Sequence, residues 1–123
     1  MEKEILLYNF IRENGRPVSE VNPGSKEMAL AVEDAEIALK SLHSSKKAIL
    51  GGDIMSENEG RLMYAYQLWG HGYHYLNWSC DKEDIESEDA FISRSYDVAM
   101  KAIADAARIA DVLHRKCYIV LVT

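Results

Sequence analysis

Two glycines followed by an acid, Gly51-Gly52-Asp53, form the first group of residues that could support chemistry. A phosphate-binding loop would need a Gly-Lys-Ser/Thr ending, and a dinucleotide-binding loop would need a third glycine three residues on. The sequence has neither feature after this pair. Because glycines inside a strand commonly mark a bulge or close packing, we predict that the pair is scaffold. Catalysis by Asp53 is the alternative.

Histidine and cysteine form a second group, because His71, His74 and Cys80 are potential zinc ligands. Their spacing, H-x2-H-x5-C, matches no standard zinc signature. On a strand, the two histidines would also point to opposite faces. The sequence lacks the G-x-S-x-G nucleophile motif and any recognised cysteine-nucleophile pattern. We therefore predict no metal, no cofactor and no catalytic residue.

A run of acidic side chains is the third group, since residues 81–89 hold six acids and one lysine. A solvated surface is the simplest interpretation of such a run. The run could instead dock a basic partner, with nearby aromatic side chains as desolvated anchors and the acids steering the encounter. Under this second interpretation, the predicted contacts are Asp81, Glu83, Asp84, Glu86 and Glu88, with Trp69, Tyr73 and Tyr75 as anchors.

Composition restricts the kind of partner. The chain has 123 residues, a formal net charge of −6 and a sequence pI near 5.2. Nucleic acid requires a basic surface, and no run of Lys and Arg exceeds two residues, so we predict no nucleic-acid binding. The longest apolar run, residues 117–122, is too short to cross a bilayer, and the N-terminus has no signal-peptide pattern. We expect one cytoplasmic, monomeric domain over residues 1–123, with its two cysteines reduced.

Hydrophobic periodicity predicts the elements that position these groups. Residues 2–14 favour a helix, residues 27–32 favour a strand, and residues 33–42 favour a helix with one apolar stripe. Together with a second strand at residues 48–55, they predict a βαβ unit whose two strands are parallel.

The second half of the chain predicts a meander and a long helix. The turn sequence SENEG indicates that residues 48–55 and 61–68 pair as a hairpin, with residues 73–78 as a third strand. Ser87 is expected to cap the long helix, and residues 117–122 to form a central strand. The predicted fold is α+β, with a small mixed sheet of about five strands against roughly two to three helices in the order α-β-α-β-β-β-α-β.

Four stretches of the chain resemble one bacterial family. They are ILGGDIM, YLNW, FISRSYDVAMKAI and YIVLV, and they occur in this order between Met28 and Val122. They are similar to the immunity proteins of polymorphic-toxin and contact-dependent growth inhibition systems, in particular to immunity protein 40. The resemblance implies an α+β, non-enzymatic cytoplasmic protein that binds the C-terminal domain of one cognate toxin.

Residues and resemblance together predict a stoichiometric toxin inhibitor that occludes its target through an acidic and aromatic surface. The net charge of −6 suggests a basic toxin domain, for example a nuclease with a basic substrate cleft. Two alternatives stay open. One is a small hydrolase or transferase that uses Asp53 and a histidine, and the other is a module that self-associates through a sheet edge.

Overall fold

An antiparallel sheet is the centre of the fold. The structure is a computed structural model that describes residues 2–123, with side chains from residue 4 onward. In this part of the chain the strands lie in the order β1-β2-β6-β3-β4, and β5 pairs with β3. The strands are β1 (Arg16–Pro17), β2 (Met28–Ala31), β3 (Gly51–Asn58), β4 (Arg61–Tyr64), β5 (Trp78–Ser79) and β6 (Tyr118–Val122).

The α-helices described within residues 2–123 pack on one face of this sheet. They are α1 (Glu2–Asn14), α2 (Val32–Ser44), α3 (Ala65–Trp69) and α4 (Glu88–Val112), and two 3-10 helices lie at Val18–Glu20 and His71–Leu76. The apolar residues of the α-helices join Leu30, Ile54 and Ile119 of the sheet in the main core. None of the helices described over this range is long and apolar enough to cross a membrane.

The C-terminal strand β6 occupies the centre of the sheet, as its continuous apolar sequence predicts. It pairs antiparallel with β2 on one side and with β3 on the other. Strands β2 and β3 therefore run in the same direction but are not neighbours. The α+β class is confirmed, whereas the expected mixed sheet with a parallel βαβ pair is wrong, because β6 inserts between the two strands.

The long helix α4 begins where its cap is predicted. The Ser87 hydroxyl accepts a hydrogen bond from the backbone N–H of Ala90 at 3.1 Å, which satisfies a donor that the first helical turn leaves free. The buried residues of α4 are Phe91, Ile92, Ser95, Ala99, Ile103, Ala106 and Ala110. Among them, the Ser95 hydroxyl accepts a hydrogen bond from the N–H of Ile49 at 3.0 Å, so the helix is bonded directly to the chain that enters β3.

The hairpin of β3 and β4 confirms the turn prediction, with a shorter turn than SENEG suggests. Asn58 still pairs with Arg61, so only Glu59 and Gly60 form the connection. Both have positive φ, 52° and 81°, as a two-residue turn requires when its twist matches that of the strands. Gly60 supplies this conformation without strain.

The predicted strands beyond the hairpin are wrong. Strand β4 ends at Tyr64, after which α3 replaces the rest of the expected strand at 61–68. The 3-10 helix at His71–Leu76 replaces most of the expected strand at 73–78, and only Trp78–Ser79 pairs with the sheet. The meander is therefore limited to one hairpin and one short added strand.

Packing explains why this aromatic stretch leaves the sheet. Ala65 and Trp69, four residues apart, both face the helix-side core, which is a helical spacing. On the side of β3 away from β6, the pairing with β5 ends at Gly52 and the pairing with β4 begins at Met55. Between them, the N–H of Ile54 donates to the side-chain oxygen of Asn77 at 2.7 Å. One side chain thus replaces a ladder hydrogen bond that the predicted strand would have made.

The edges of the sheet are short. Strand β1 has two residues, one of which is Pro17, and β4 has four. Proline offers no N–H, and short edge strands present few unpaired backbone groups. Addition of a strand from another chain therefore has little backbone to pair with at either edge.

Candidate functional site

The glycine pair of β3 is explained by close packing with β5. Gly51 pairs with Ser79 and Gly52 with Trp78. A Cβ at Gly52 would overlap the outer ring of Trp78 and lie 2.5 Å from the carbonyl oxygen of Val120, and a Cβ at Gly51 would overlap the carbonyl oxygen of Trp78. The pair lets a strand and an indole ring lie directly against β3, which is a scaffold role.

Asp53 lies just beyond the glycines, on the sheet face away from the α-helices. Its side chain points to the opposite side of the sheet from that of Ile54, which lies in the helix-side core. It points to the same side as Met55 and Val120. Burial raises the pKa of Asp53 above its ordinary value, and the nearby charge of His74 partly offsets this. Among the described side chains no hydrogen bond joins Asp53 to His74, so the acid and histidine are neighbours without forming a bonded catalytic pair.

The two histidines and Cys80 are not brought together. His71 and His74 lie on a 3-10 helix and both contact Tyr66, with ring centroids 5.8 and 4.6 Å apart. Cys80 is buried elsewhere, 3.3 Å from Nη1 of Arg94. Over residues 4–123, no group of three or more His, Cys, Asp or Glu side chains is arranged to hold a metal ion.

Both cysteines are free thiols in the described chain. Cys117 is partly buried beside the main core. Burial raises the pKa of its thiol to about 12, so the reactive thiolate is scarce at neutral pH.

The acidic segment, residues 81–89, connects β5 to α4 and includes the first two residues of that helix. Arg94 of α4 holds it in place. The guanidinium donates to both carboxylate oxygens of Glu86, at 2.7 Å from Nε and 2.8 Å from Nη2, and to the backbone oxygen of Asp81 at 2.6 Å. Such a two-point pair between arginine and a carboxylate fixes geometry as well as charge.

This clamp divides the acids of the segment into two kinds. The Glu86 carboxylate is occupied by Arg94, whose hydrogen bonds lower the pKa of Glu86 to about 2. The exposed acids are Asp81, Glu83, Asp84, Glu88 and Asp89. Ile85 lies between them with 97% of its surface exposed. Sequence reasoning missed both Ile85 and Arg94, and only the arginine's position near the start of an acidic helix could have suggested its role.

We expect Glu86→Gln to lower Tm at neutral pH. The difference in Tm between variant and wild type should become smaller as the solution becomes acidic. The folded-state pKa of Glu86 is about 2, against a usual 4.5. Ionised Glu86 therefore stabilises the fold fully above about pH 4.5, and this contribution is lost as the pH falls toward 2. Circular dichroism melts from pH 7 to pH 2 should show the difference between wild type and variant shrinking across that window.

Asp84→Asn is the matched control for this prediction. Asp84 is an exposed carboxylate of the same segment, and no ion pair to it is found among the described side chains. The difference in Tm between Asp84→Asn and wild type should not shrink in the same way between pH 4.5 and pH 2. A Tm difference for Glu86→Gln that is the same at every pH would contradict the ion-pair explanation.

The three predicted aromatic anchors differ in exposure. Trp69 and Tyr73 are partly buried against the main core, with ring centroids 6.2 Å apart. The Trp69 indole N–H also donates to the Ser56 hydroxyl at 3.1 Å, which ties the ring to β3. Tyr75 is 67% exposed, so it has the most surface to offer a partner.

A second surface, the open face, surrounds Asp53. It consists of Asp53, of Glu27 and His74, whose charges interact with that of Asp53, of Tyr66 beside His74, and of Val122, two residues after the β6 partner of Asp53. Tyr66 packs edge-on against His74, and Val122 is 36% exposed. Elsewhere on this side of the sheet, Val18 and Val21 cover a small second core.

The family comparison gives the chain its class. Residues 17–123 match the family model described as Immunity protein 40, a range that contains both the acidic segment and the open face. The class is that of immunity proteins, which have a toxin as their general partner and are in general non-enzymatic. The chain belongs to the immunity protein 40 family. No significant match was found among curated proteins or among solved structures.

Proposed function

We propose that this chain binds the C-terminal domain of a cognate toxin and blocks it by one-to-one occlusion, with the acidic segment as the main contact. The observation that carries this proposal is the Arg94 clamp. Arginine is bonded to Glu86 and to the backbone of Asp81, so the exposed acids are presented on a held segment. A pre-organised segment loses less conformational entropy on binding than a mobile one.

The composition of the segment fits an interface. Exposed carboxylates accelerate the encounter with a basic partner and set its orientation. Ile85, with 97% of its surface exposed, gives the middle of the segment an apolar side chain that binding would remove from water. Tyr75 is a second exposed side chain available to the partner, whereas Trp69 and Tyr73 are partly buried against the main core. Energetically important interface residues are commonly surrounded by polar ones in this way.

The proposed partner is a basic domain, and a nuclease is the toxin chemistry that best fits the charge. The chain carries a formal net charge of −6. A nuclease cleft is basic because it binds phosphates, so an acidic inhibitor can occupy the cleft or a nearby surface. The edge strands of the sheet are only two and four residues long, which favours binding to a different protein over self-association.

The test begins with capture of the partner. The chain serves as bait in an extract of its native bacterium at low and moderate salt, and mass spectrometry identifies bound proteins. The captured toxin domain is then purified, and its activity is titrated with the chain. We expect a 1:1 complex by light scattering and complete inhibition at one equivalent. A captured domain that stays active at saturating chain would overturn the proposal.

A further inference from the structure

The acids of the open face lack ion-pair partners among the described side chains. At the other end of the same face of the sheet, the acid Glu57 has two. There, Glu57 lies 3.6 Å from Arg16 and 3.2 Å from Lys116. Among the side chains described from residue 4 onward, neither the Glu27 carboxylate nor the Asp53 carboxylate forms an ion pair or a hydrogen bond. At this end of the face the two carboxylates thus have no bonded partner among the described side chains, and the nearby charge of His74 offsets the effect of burial on Asp53 only in part.

Strand register places the two acids around the last residues of β6. Asp53 opposes Val120, and Gly51 opposes Val122. Val120 in turn opposes Ala29 of β2, and Glu27 lies two residues before Ala29, on the same side of the sheet. The two carboxylates thus flank the exposed Val122, and the negative charge of Asp53 acts on Glu27 and contributes to raising the pKa of that residue, after burial.

We propose that the open face is a second contact for the toxin and receives one of its arginine side chains between Asp53, Glu27 and the ring of Tyr66. This inference rests on the proposed function for the identity of the partner. The chemical complementarity comes from the described residues themselves.

Arginine fits this surface better than lysine does. Its planar guanidinium can pair with a carboxylate in two-point geometry and stack on an aromatic ring at the same time. Asp53 is partly desolvated, and its neighbour His74 packs against the partly exposed ring of Tyr66. An arginine seated there would have an anionic contact and an aromatic contact on the two sides of His74. Ion pairs of partly desolvated groups contribute more than those of groups in free solvent.

The open face and the acidic segment lie at the same end of the sheet. Strand β5 pairs with Gly51 and Gly52, and Cys80 continues this pairing by donating its N–H to Leu50. Asp53 and the start of the acidic segment are separated by about four ladder positions, roughly 13 Å at the usual strand rise. Asp53 lies on the sheet face away from the α-helices, whereas the acidic segment is bonded to Arg94 of α4. A toxin that contacts both therefore wraps around the β5 edge of the sheet, a span within the size of a standard protein interface.

The first experiment uses a small probe, Nα-acetyl-arginine methylamide, in amide NMR titrations of the full chain. We expect saturable shifts at Gly51, Gly52, Asp53 and Tyr66. The uncharged citrulline analogue, which has nearly the same shape, should leave these amides unshifted. The double variant Asp53→Asn/Glu27→Gln should lose the response, while Asp81→Asn/Asp84→Asn should retain it. Equal shifts with citrulline, or shifts confined to residues 81–89, would overturn the inference.

The second experiment separates a binding role from a structural role. Burial disfavours the charged form of Asp53, so folding stability falls as the pH rises through the window above the unfolded pKa. Asp53→Asn should therefore raise Tm at pH 7. If Asp53 contacts an arginine of the toxin, the same variant should weaken toxin affinity at least tenfold. A structural aspartate would give a lower Tm instead.

Failure of this inference can be distinguished from failure of the proposed function. Unchanged toxin affinity in Asp53→Asn/Glu27→Gln, with full inhibition by wild type, would overturn only the open-face contact. Loss of inhibition by wild type would overturn the proposed function and with it the identity of the occupant. The arginine titration then decides independently whether the cation site exists.

Discussion

Gly52→Ala is expected to destabilise the protein by about 3 kcal/mol, near the upper end of the usual cost of overpacking. The new methyl group would overlap the outer ring of Trp78 and approach the carbonyl oxygen of Val120 to 2.5 Å. The ring could turn, but the carbonyl belongs to the central strand β6 and is fixed by its pairing with β3. Urea unfolding gives the free energy of unfolding for variant and wild type.

Gly72→Ala is the matched control, because no heavy atom lies within 4 Å of the position its Cβ would take. Its free energy of unfolding should change little or rise slightly, since alanine restricts the unfolded chain. A second comparison uses Trp78→Phe, which removes the outer indole ring. The indole N–H has no partner among the described atoms, so this change breaks no hydrogen bond within the described protein.

The double variant Gly52→Ala/Trp78→Phe should lose less stability than the sum of the single variants. The smaller ring relieves the clash of the new methyl group, and the methyl group fills part of the space that the indole ring leaves. Strict additivity would show that the ring does not restrict Gly52. If Gly52→Ala were as stable as wild type and impaired toxin binding, the glycine would have a direct role in the interface and the scaffold explanation would be wrong.

The parts of the fold that sequence predicts correctly are those that local signals specify. Ser87 caps α4 through a hydrogen bond to a residue three positions away, and Gly60 forms a turn that needs positive φ. The apolar run of β6 marks a strand that is paired on both sides at the centre of the sheet. Each of these features depends on neighbours in the chain, so periodicity and residue type suffice.

The region that sequence predicts wrongly depends on contacts between distant residues. Residues 62–69 are a short and mostly apolar run, which fits a strand or a short helix. Packing of Trp69 on the core decides for the helix. The position of β6 between β2 and β3 is likewise not encoded locally. A βαβ pattern predicts adjacent parallel strands, and only the burial of a strand from the far end of the chain overrides it.

The candidate surfaces show the same division. The acidic segment is visible in the sequence because its charges are consecutive. The clamp that holds it is not, since Arg94 resembles any exposed helix residue until the chain before α4 folds back onto it. The proximity of Glu27 and Asp53 requires the sheet order β2-β6-β3, which sequence analysis predicts incorrectly. Local charge thus indicates one surface, and topology creates the other.

Charge reversal on the acidic segment is expected to slow association with the toxin about tenfold or more at low ionic strength. The variant is Asp81→Lys/Asp84→Lys, which changes two exposed side chains and leaves the Glu86 carboxylate on Arg94. Because the segment steers the encounter by long-range attraction, the effect should nearly vanish near 1 M salt, where screening acts within about 3 Å. Tm should stay close to that of wild type.

Asp97→Lys/Asp111→Lys is the matched control, since it changes the net charge by the same amount at two exposed positions farther along α4. Stopped-flow association rates with the toxin domain, measured from low to high salt, compare the two variants. A steeper loss for the segment variant would locate the encounter at residues 81–89. Equal losses would mean that only the overall charge attracts the toxin, and the contact would then have to be sought at the open face, where the Asp53 variants give an independent answer.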